Sequence, residues 1–257
     1  MRSKDMKIDV ITLFPELVAS LQHYGVVGRA MQESKVRLEL TNPRDFSQDP
    51  NHRVDDRPYG GGPGMVMQYE PLSLALNHIK STANDQFRPK VVYLSPQGQR
   101  LNQQEVRRLG KYDHMILLCG RYEGIDERFI ETEVDEEWSL GDYVISGGEL
   151  AAMVLIDAIV RTIPGVLGDD LSAEQDSFES GLLDCPHYTR PESIDGNDVP
   201  QELLSGDHKR IEQWRLKQAL GRTYLRRPDL VEKYHLSEQE QRLLNEYLAE
   251  HKVKSKR

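Results

Sequence analysis

The segment VDDRPYGGGPGMVM, residues 54–67, places two aspartates and an arginine beside four glycines, whose backbone can approach a ligand closely. A Walker phosphate loop would continue its last glycine with lysine and then serine or threonine, but Met65 and Val66 stand there. A dinucleotide fingerprint that began at Gly60 would need glycine at position 65 and a preceding strand, whereas residues 41–57 are polar. The segment therefore matches neither nucleotide motif, and an ordinary surface turn is the alternative.

Three other segments are rich in glycine and polar residues. They are YLSPQGQ at residues 93–99, LCGRYEGIDER at 118–128 and EWSLGDYVISGGEL at 137–150. A plain turn between a strand and a helix would need fewer glycines and fewer charges. These segments are candidates for a ligand site, provided that the fold brings them together.

The surrounding pattern predicts strands that alternate with helices. Apolar runs predict buried strands at residues 7–14, 90–95 and 114–120, and the alternation of apolar and polar residues predicts another strand at 36–40. Helical spacing and helix-start residues predict helices at residues 15–33, 71–81, 103–111 and 147–161. The alternation predicts an α/β fold with a mostly parallel sheet that is covered on both faces. In such sheets the ligand binds beyond the carboxyl ends of the strands.

The texture of the sequence changes after Pro164. Residues 165–181 are small, acidic and aperiodic, which is typical of a linker. Three helical stretches follow, at residues 206–221, 228–234 and 238–251. We therefore predict a sheet domain at residues 1–167, a linker at 168–183 and a small all-helical C-terminal domain at 184–257.

The composition is that of a globular protein with a core, since 38% of the 257 residues are hydrophobic and 29% are charged. No apolar run approaches the roughly 18 residues that span a bilayer, so no membrane partner is expected. Cys119 and Cys185 lack the spacing of a disulfide framework or a metal site, and we expect a cytoplasmic location. The net charge is −9, but residues 208–228 hold seven Lys/Arg against the single acid Glu212, which keeps nucleic acid among the candidate partners.

Several long motifs resemble, in their order along the chain, those of the bacterial tRNA (guanine-N1)-methyltransferases, which belong to the knotted SPOUT class of methyltransferases. These motifs are LFPE at 13–16, DDRPYGGGPGM at 55–65, GLLDCPHYTRP at 181–191 and LLSGDHKRIEQWRLKQALGRT at 203–223. The resemblance covers nearly the whole chain, apart from a short extension at residues 1–5. It implies methyl transfer from S-adenosylmethionine to N1 of the guanosine immediately 3′ of the tRNA anticodon.

This chemistry requires a base, because N1 of guanine carries a proton, and a donor for the negative charge that develops on O6. The resemblance implies that the base is Asp176, in EQDSF of the linker, and that the donor is Arg161, at the end of the predicted helix. From the residues alone, a solvated carboxylate is the favoured interpretation of Asp176, and a cation that stabilises a helix C-terminus would suffice to explain Arg161.

The resemblance also implies a deep trefoil knot whose loops hold S-adenosylmethionine, although nothing in the periodicity indicates a knot. Glu123 could serve the amino group of the cofactor or a magnesium ion, which the family is also expected to need, and Asp142 could be structural. The implied cofactor-binding residues are Leu94, Ser95, Pro96, Gly120, Tyr122, Glu123, Leu140, Gly141, Asp142, Tyr143, Val144, Ile145, Gly147 and Gly148.

The implied partner is the anticodon stem-loop of tRNA, held through phosphates by the basic residues of 208–228. The candidate tRNA contacts are Arg57, Arg121, His187, Arg190, Lys209 and Arg215. The resemblance further implies a homodimer in which the linker of one chain, with Asp176, completes the cofactor pocket of the other. The glycines of residues 60–64 would then permit close packing around a base that has left its stack.

Two other functions stay open at this point. A different SPOUT enzyme would methylate a ribose 2′-hydroxyl or another RNA base, and the product nucleoside separates that reading from the first. A non-catalytic RNA-binding module would use the basic residues of 208–228, but it would leave the glycine-rich segments unexplained. Binding of S-adenosylmethionine would exclude it.

Overall fold

The computed structural model describes residues 6–83, 88–168 and 176–254, with side chains to residue 251. The chain separates into two compact units, Met1–Asp170 and Leu171–Arg257. The boundary between these units lies three residues after the predicted end of the sheet domain at residue 167. The domain boundaries themselves stay predictions. No helix within the described ranges is long and apolar enough to cross a membrane.

A five-stranded sheet forms the centre of the first unit, and every neighbouring pair of its strands is parallel. The strand order is β2-β1-β6-β5-β7. The strands are β1 (Met6–Ile11), β2 (Val36–Thr41), β5 (Lys90–Arg100), β6 (His114–Cys119) and β7 (Glu136–Ser139). The first four of these strands match the four strands that the sequence predicts. The sequence did not predict β7, because its four residues, EEWS, hold two glutamates and no apolar run.

Helices cover both faces of the sheet, as the sequence predicts. The helices of this unit are α1 (Pro15–Ala19), α2 (Gly25–Gln32), α3 (Tyr69–Thr82), α4 (Gln103–Leu109), α5 (Glu127–Glu133) and α6 (Gly148–Val160). Side chains alternate along β6, so that Met115 and Leu117 pack on the side of α2 and α6, and Ile116 and Leu118 on the side of α3 and α5. The α/β fold class with its parallel sheet is therefore confirmed.

The predicted helix at residues 15–33 is two helices in the structure. A 3-10 turn at Ser20–Gln22 separates α1 from α2, and α2 begins at Gly25, whose φ is +66°. This φ lies in the left-handed region, which glycine adopts without strain. Because a right-handed α-helix requires a negative φ, one helix cannot continue through Gly25.

The longest strand, β5, is interrupted between two segments that both pair with β7. Leu94 pairs with Trp138, and Gln99 pairs with Trp138 again, so that residues 95–98 leave the ladder. Gly98 lies so close to β7 that a Cβ there would sit 2.4 Å from the Glu137 carbonyl carbon and the Trp138 nitrogen. Threading of the loops into a trefoil knot stays a prediction.

The glycine-rich segment forms a tight hairpin. Its ends pair as two short antiparallel strands, β3 (Asp55–Asp56) and β4 (Val66–Met67). The four glycines between them, Gly60, Gly61, Gly62 and Gly64, all have positive φ.

The second unit is mostly helical, as predicted, with one short hairpin in addition. Its helices are α7 (Gln201–Leu204), α8 (His208–Arg226), α9 (Pro228–Val231) and α10 (Glu238–Lys254), and its buried core is Leu182, Leu220, Leu243 and Leu244. The hairpin pairs β8 (Ser193–Ile194) with β9 (Asn197–Asp198). Its turn is Asp195-Gly196, and both residues have positive φ. The Asp-Gly pair is a strong sequence signal for a hairpin, although this hairpin was not predicted.

Candidate active site

A cavity of about 280 Å³ lies at the interruption of β5, at the carboxyl ends of β6 and β7 and at the start of α6. Three loops that are remote in sequence form it, because parallel strands end at the same edge of the sheet. All the predicted cofactor-binding residues line this cavity except Asp142, which is exposed nearby. Their role as cofactor ligands stays a prediction.

The cavity also contains residues that the sequence reading missed. Tyr93, Trp138 and Ser139 belong to its inner wall, and Arg121, predicted as a tRNA contact, lines it too. Tyr93, Trp138 and Ser139 lie in segments 93–99 and 137–150, which the sequence singles out as candidates for a ligand site, but they are not among the implied cofactor-binding residues. Gly124, Ser146 and Ala151 complete the lining.

Trp138 is held by a cluster of polar groups behind the cavity. Its Nε1 donates to Glu136 Oε2 at 3.0 Å, and the same carboxylate accepts from Arg108 Nη1 at 3.1 Å and from the Tyr112 hydroxyl at 2.5 Å. Burial acts to raise the pKa of Glu136, but the bonds from Arg108, Tyr112 and Trp138 hold that pKa below its ordinary value. The indole is therefore fixed by an ionised carboxylate.

Two potentially reactive groups at the cavity are inert. Burial, with the charges of Glu137 and Glu127, raises the pKa of Tyr93 to about 12, so that its phenol stays protonated. Burial, with the charge of Glu149, raises the pKa of the Cys119 thiol well above its ordinary value. A protonated, fully buried thiol is a core residue and not a nucleophile.

The glycine-rich hairpin packs on the loop that follows β6. Glu123 N donates to Met65 O at 2.9 Å, Met67 N donates to Gly124 O at 2.9 Å, and Asp126 N donates to Met67 O at 3.0 Å. A Cβ on Gly64 would lie 2.4 Å from Cγ of Glu123, and the φ of +80° at this position is strained for any residue other than glycine. The segment therefore approaches a carboxylate of the cavity wall, and no phosphate is needed to explain its glycines.

Arg121 is held in the cavity wall by Glu149, in the first turn of α6. Arg121 Nε donates to Glu149 Oε2 at 2.8 Å, and Arg121 Nη1 donates to Ser146 O at 3.1 Å. The guanidinium also lies 4.5 Å from the centre of the Phe14 ring. Glu149 is fully buried, and its Oε1 accepts from the Thr12 hydroxyl at 3.0 Å.

The two predicted catalytic residues lie in different units. Arg161 is half-buried and follows the last residue of α6, where its backbone N–H bonds to Asp157 O. Asp176 is exposed in the second unit, and its carbonyl accepts from Glu179 N at 3.3 Å. Their catalytic roles stay predictions.

The remaining predicted tRNA contacts are exposed. Arg57 lies in the first unit beside Asp56, and Arg190, Lys209 and Arg215 lie in the second. The imidazole of His187 is 2.7 Å from Asp184 Oδ2.

One group of side chains has the donor atoms of a metal site. Asp184, Cys185 and His187 place one ligand atom each within 4.8 Å of one another. Sulfur and nitrogen donors do not suit magnesium, which prefers oxygen. Burial and the charge of Asp184 raise the pKa of the Cys185 thiol, which opposes the thiolate that a metal would need. The group does not provide the predicted magnesium site.

The parallel sheet, with a glycine-lined cavity at its carboxyl edge, and the helical unit with its basic helix α8 define an α/β protein with a candidate site for a small ligand. The family model of tRNA (Guanine-1)-methyltransferase TrmD matches residues 6–233. A tRNA (guanine-N(1)-)-methyltransferase of Shewanella sediminis is 58% identical over 243 residues, which are 95% of this chain and 100% of the relative. One of Shewanella frigidimarina is 57% identical over 245 residues, 95% of this chain and 98% of the relative. The chain belongs to the tRNA (guanine-1)-methyltransferase family, which confirms the resemblance of its motifs.

Proposed function

We propose that this protein transfers a methyl group from S-adenosylmethionine to N1 of the guanosine immediately 3′ of the tRNA anticodon, giving 1-methylguanosine. The observation that carries the proposal is the family match over residues 6–233, which includes every segment that lines the cavity.

The cavity suits S-adenosylmethionine in its chemistry. Leu94, Val144 and Ile145 offer apolar surface for a flat base, and the glycines leave backbone groups accessible to a polar ligand. Glu123 offers a carboxylate to the amino group of the cofactor or to magnesium, whose preferred ligands are oxygens. When bound, S-adenosylmethionine supplies an electrophilic methyl group.

The residues of the chain would then do three things. Asp176 would accept the N1 proton, so that the nitrogen lone pair becomes available. Arg161 would donate a hydrogen bond to O6, where negative charge develops, and the planar array of N–H donors on a guanidinium suits an oxygen acceptor. The cavity would orient the reacting groups, which contributes much of the rate in a displacement reaction.

A homodimer with shared active sites is the proposed assembly. The exposed positions of α6, Leu150, Val154 and Asp157, recur at helical spacing on one face, and two of them are large apolar residues. The helix α1 contacts α6. Leu17 of α1 and Phe14, which precedes it, are exposed as well. Arg161 lies eleven residues after Leu150 and so on the same face. We propose that a second copy packs on this face and that its linker, with Asp176, completes the site at Arg161.

The tRNA is proposed to bind along α8. Arg215, Arg222 and Arg226 recur at i, i+7 and i+11 on one side of this helix, and Lys209 lies in its first turn. Tyr188 packs edge-on against Trp214, with ring centres 6.2 Å apart, which brings the segment of His187 to the same helix.

Both cysteines are free thiols, which supports the proposed cytoplasmic location.

The first test is methyl transfer from labelled S-adenosylmethionine to unmodified tRNA, followed by analysis of the nucleosides. We expect 1-methylguanosine at the position 3′ of the anticodon. A 2′-O-methylated nucleoside or another methylated base would identify a different SPOUT enzyme. Binding of tRNA without binding of S-adenosylmethionine would favour the RNA-binding module.

Replacing Lys209 and Arg215 together by alanine is expected to weaken tRNA binding and to reduce the slope of log affinity against log salt by about one per residue. The rate at saturating tRNA should be unchanged, because neither side chain lies in the cavity. The measurement is tRNA affinity at several salt concentrations. Lys217→Ala is the matched control, since Lys217 pairs with Glu250 at 2.8 Å and its side chain is only 14% exposed. An unchanged slope in the double variant would place the tRNA elsewhere.

A further inference from the structure

The charge balance of the cavity depends on a residue that does not line it. Arg121 and Glu123 are the charged side chains among the described lining residues, and their charges cancel. Glu149 lies directly behind Arg121 and is 0% exposed, so its charge is poorly screened by water. The formal charges of Arg121, Glu123 and Glu149 are +1, −1 and −1, and their sum is −1.

This sum complements the proposed cofactor. S-adenosylmethionine carries a carboxylate, an ammonium and a sulfonium, and its net charge is +1. S-adenosylhomocysteine, which remains after the methyl group has left, has a neutral thioether and a net charge of zero. The two ligands therefore differ by one positive charge and one methyl group.

An unneutralised guanidinium in the wall would oppose the sulfonium. Arg121 is held where it is by the bond to Glu149, the bond to Ser146 O and the Phe14 ring. Without the Glu149 carboxylate the three-group sum would be zero, with the positive charge of Arg121 no longer paired. The attraction for a cationic ligand would fall, whereas a neutral ligand would be affected less.

We propose that Glu149 is a specificity-determining residue, which neutralises Arg121 and thereby makes the cavity prefer the sulfonium of S-adenosylmethionine to the thioether of S-adenosylhomocysteine. The inference rests on the proposed use of S-adenosylmethionine. It assigns to Glu149 an electrostatic role in addition to the clasp that it forms with Thr12.

The test is calorimetric titration of the full-length protein with each of the two ligands. Glu149→Gln keeps the shape of the side chain and removes its charge. We expect it to lower the ratio of the S-adenosylmethionine affinity to the S-adenosylhomocysteine affinity by about five- to tenfold. The double variant Glu149→Gln with Arg121→Gln returns the sum to −1 and should restore the wild-type ratio.

Thr12→Val is the control for a structural role, because it removes the 3.0 Å bond to Glu149 without changing charge. It should weaken both ligands by the same factor. Arg121→Gln is the second single variant if Glu149→Gln does not fold, and it should shift the ratio toward S-adenosylmethionine. Circular dichroism and Tm establish folding in each case.

Equal losses for the two ligands in Glu149→Gln, or an unchanged ratio in a folded Arg121→Gln, would overturn the inference and leave Glu149 a structural clasp. Failure of the wild-type protein to bind either ligand would overturn the proposed function itself, and the inference with it.

Discussion

Asp176→Asn is expected to lower kcat for methyl transfer by about a thousandfold, because a general base contributes roughly 10²–10⁴ to a rate. Asparagine matches aspartate in shape but cannot accept the N1 proton. The affinities for S-adenosylmethionine and tRNA should stay within about twofold, since Asp176 is exposed and its replacement at the surface leaves stability nearly unchanged. Single-turnover methylation and equilibrium binding measure the two effects separately.

Glu179→Gln is the matched control for this variant, because it neutralises a carboxylate three residues away in the same segment. It should retain nearly the full rate. If Asp176→Asn kept nearly the full rate as well, the proton must go to another group, and the assignment of the base would be wrong.

The same variant tests the shared active site. In the proposed dimer, the base and the donor of one site come from different chains. Mixed dimers of Asp176→Asn and Arg161→Ala would then contain one intact site, and random mixing would restore about a quarter of the wild-type rate. If both residues of a site came from one chain, mixing would restore nothing.

Gly98→Ala is expected to lower the free energy of unfolding by about 3 kcal/mol and to weaken S-adenosylmethionine binding by more than tenfold. The new Cβ would lie 2.4 Å from the Glu137 carbonyl carbon and the Trp138 nitrogen, and backbone atoms of a paired strand cannot move aside as a flexible side chain does. The strand β7 would be displaced, and with it the Trp138 wall of the cavity. Denaturant unfolding and calorimetric titration measure both effects.

Gly168→Ala is the control for a glycine without close neighbours. Among the described residues, no atom lies within 4 Å of a Cβ placed there, so stability should change by less than about 0.5 kcal/mol. If Gly98→Ala instead kept the stability of the wild type and its affinity for S-adenosylmethionine, the prediction would be wrong. The strands β5 and β7 could then separate at this point without loss of the cavity.

The sequence predicted the parts of this fold that depend on local pattern. The strands β1, β5 and β6 were readable because each is an apolar run, and β2 because apolar and polar residues alternate along it. Neither pattern is present in β7, with the sequence EEWS. The cavity wall was predicted from three motifs and from the rule that ligands bind at the carboxyl edge of a parallel sheet. The prediction of one continuous helix at residues 15–33 was wrong, because helical spacing does not reveal the positive φ of Gly25, at which the second helix begins.

Long-range pairs could not be predicted. Arg121 was predicted as a tRNA contact on the basis of the resemblance. In the structure its partner is Glu149, which follows 28 residues later, and Thr12 lies 137 residues before that glutamate. No local pattern connects these positions. Only the fold shows that a buried carboxylate neutralises the guanidinium.

The hydrogen bonds that join the glycine-rich hairpin to the loop after β6 have a consequence for cooperativity. Bonds from Glu123 to Met65 and from Met67 to Gly124 join two segments more than fifty residues apart, one beside the cavity and one at its rim. A ligand that orders either segment also restrains the other, so a second ligand loses less conformational entropy when it binds. Two ligands on opposite sides of this junction would therefore bind with positive coupling, without any change in the average structure.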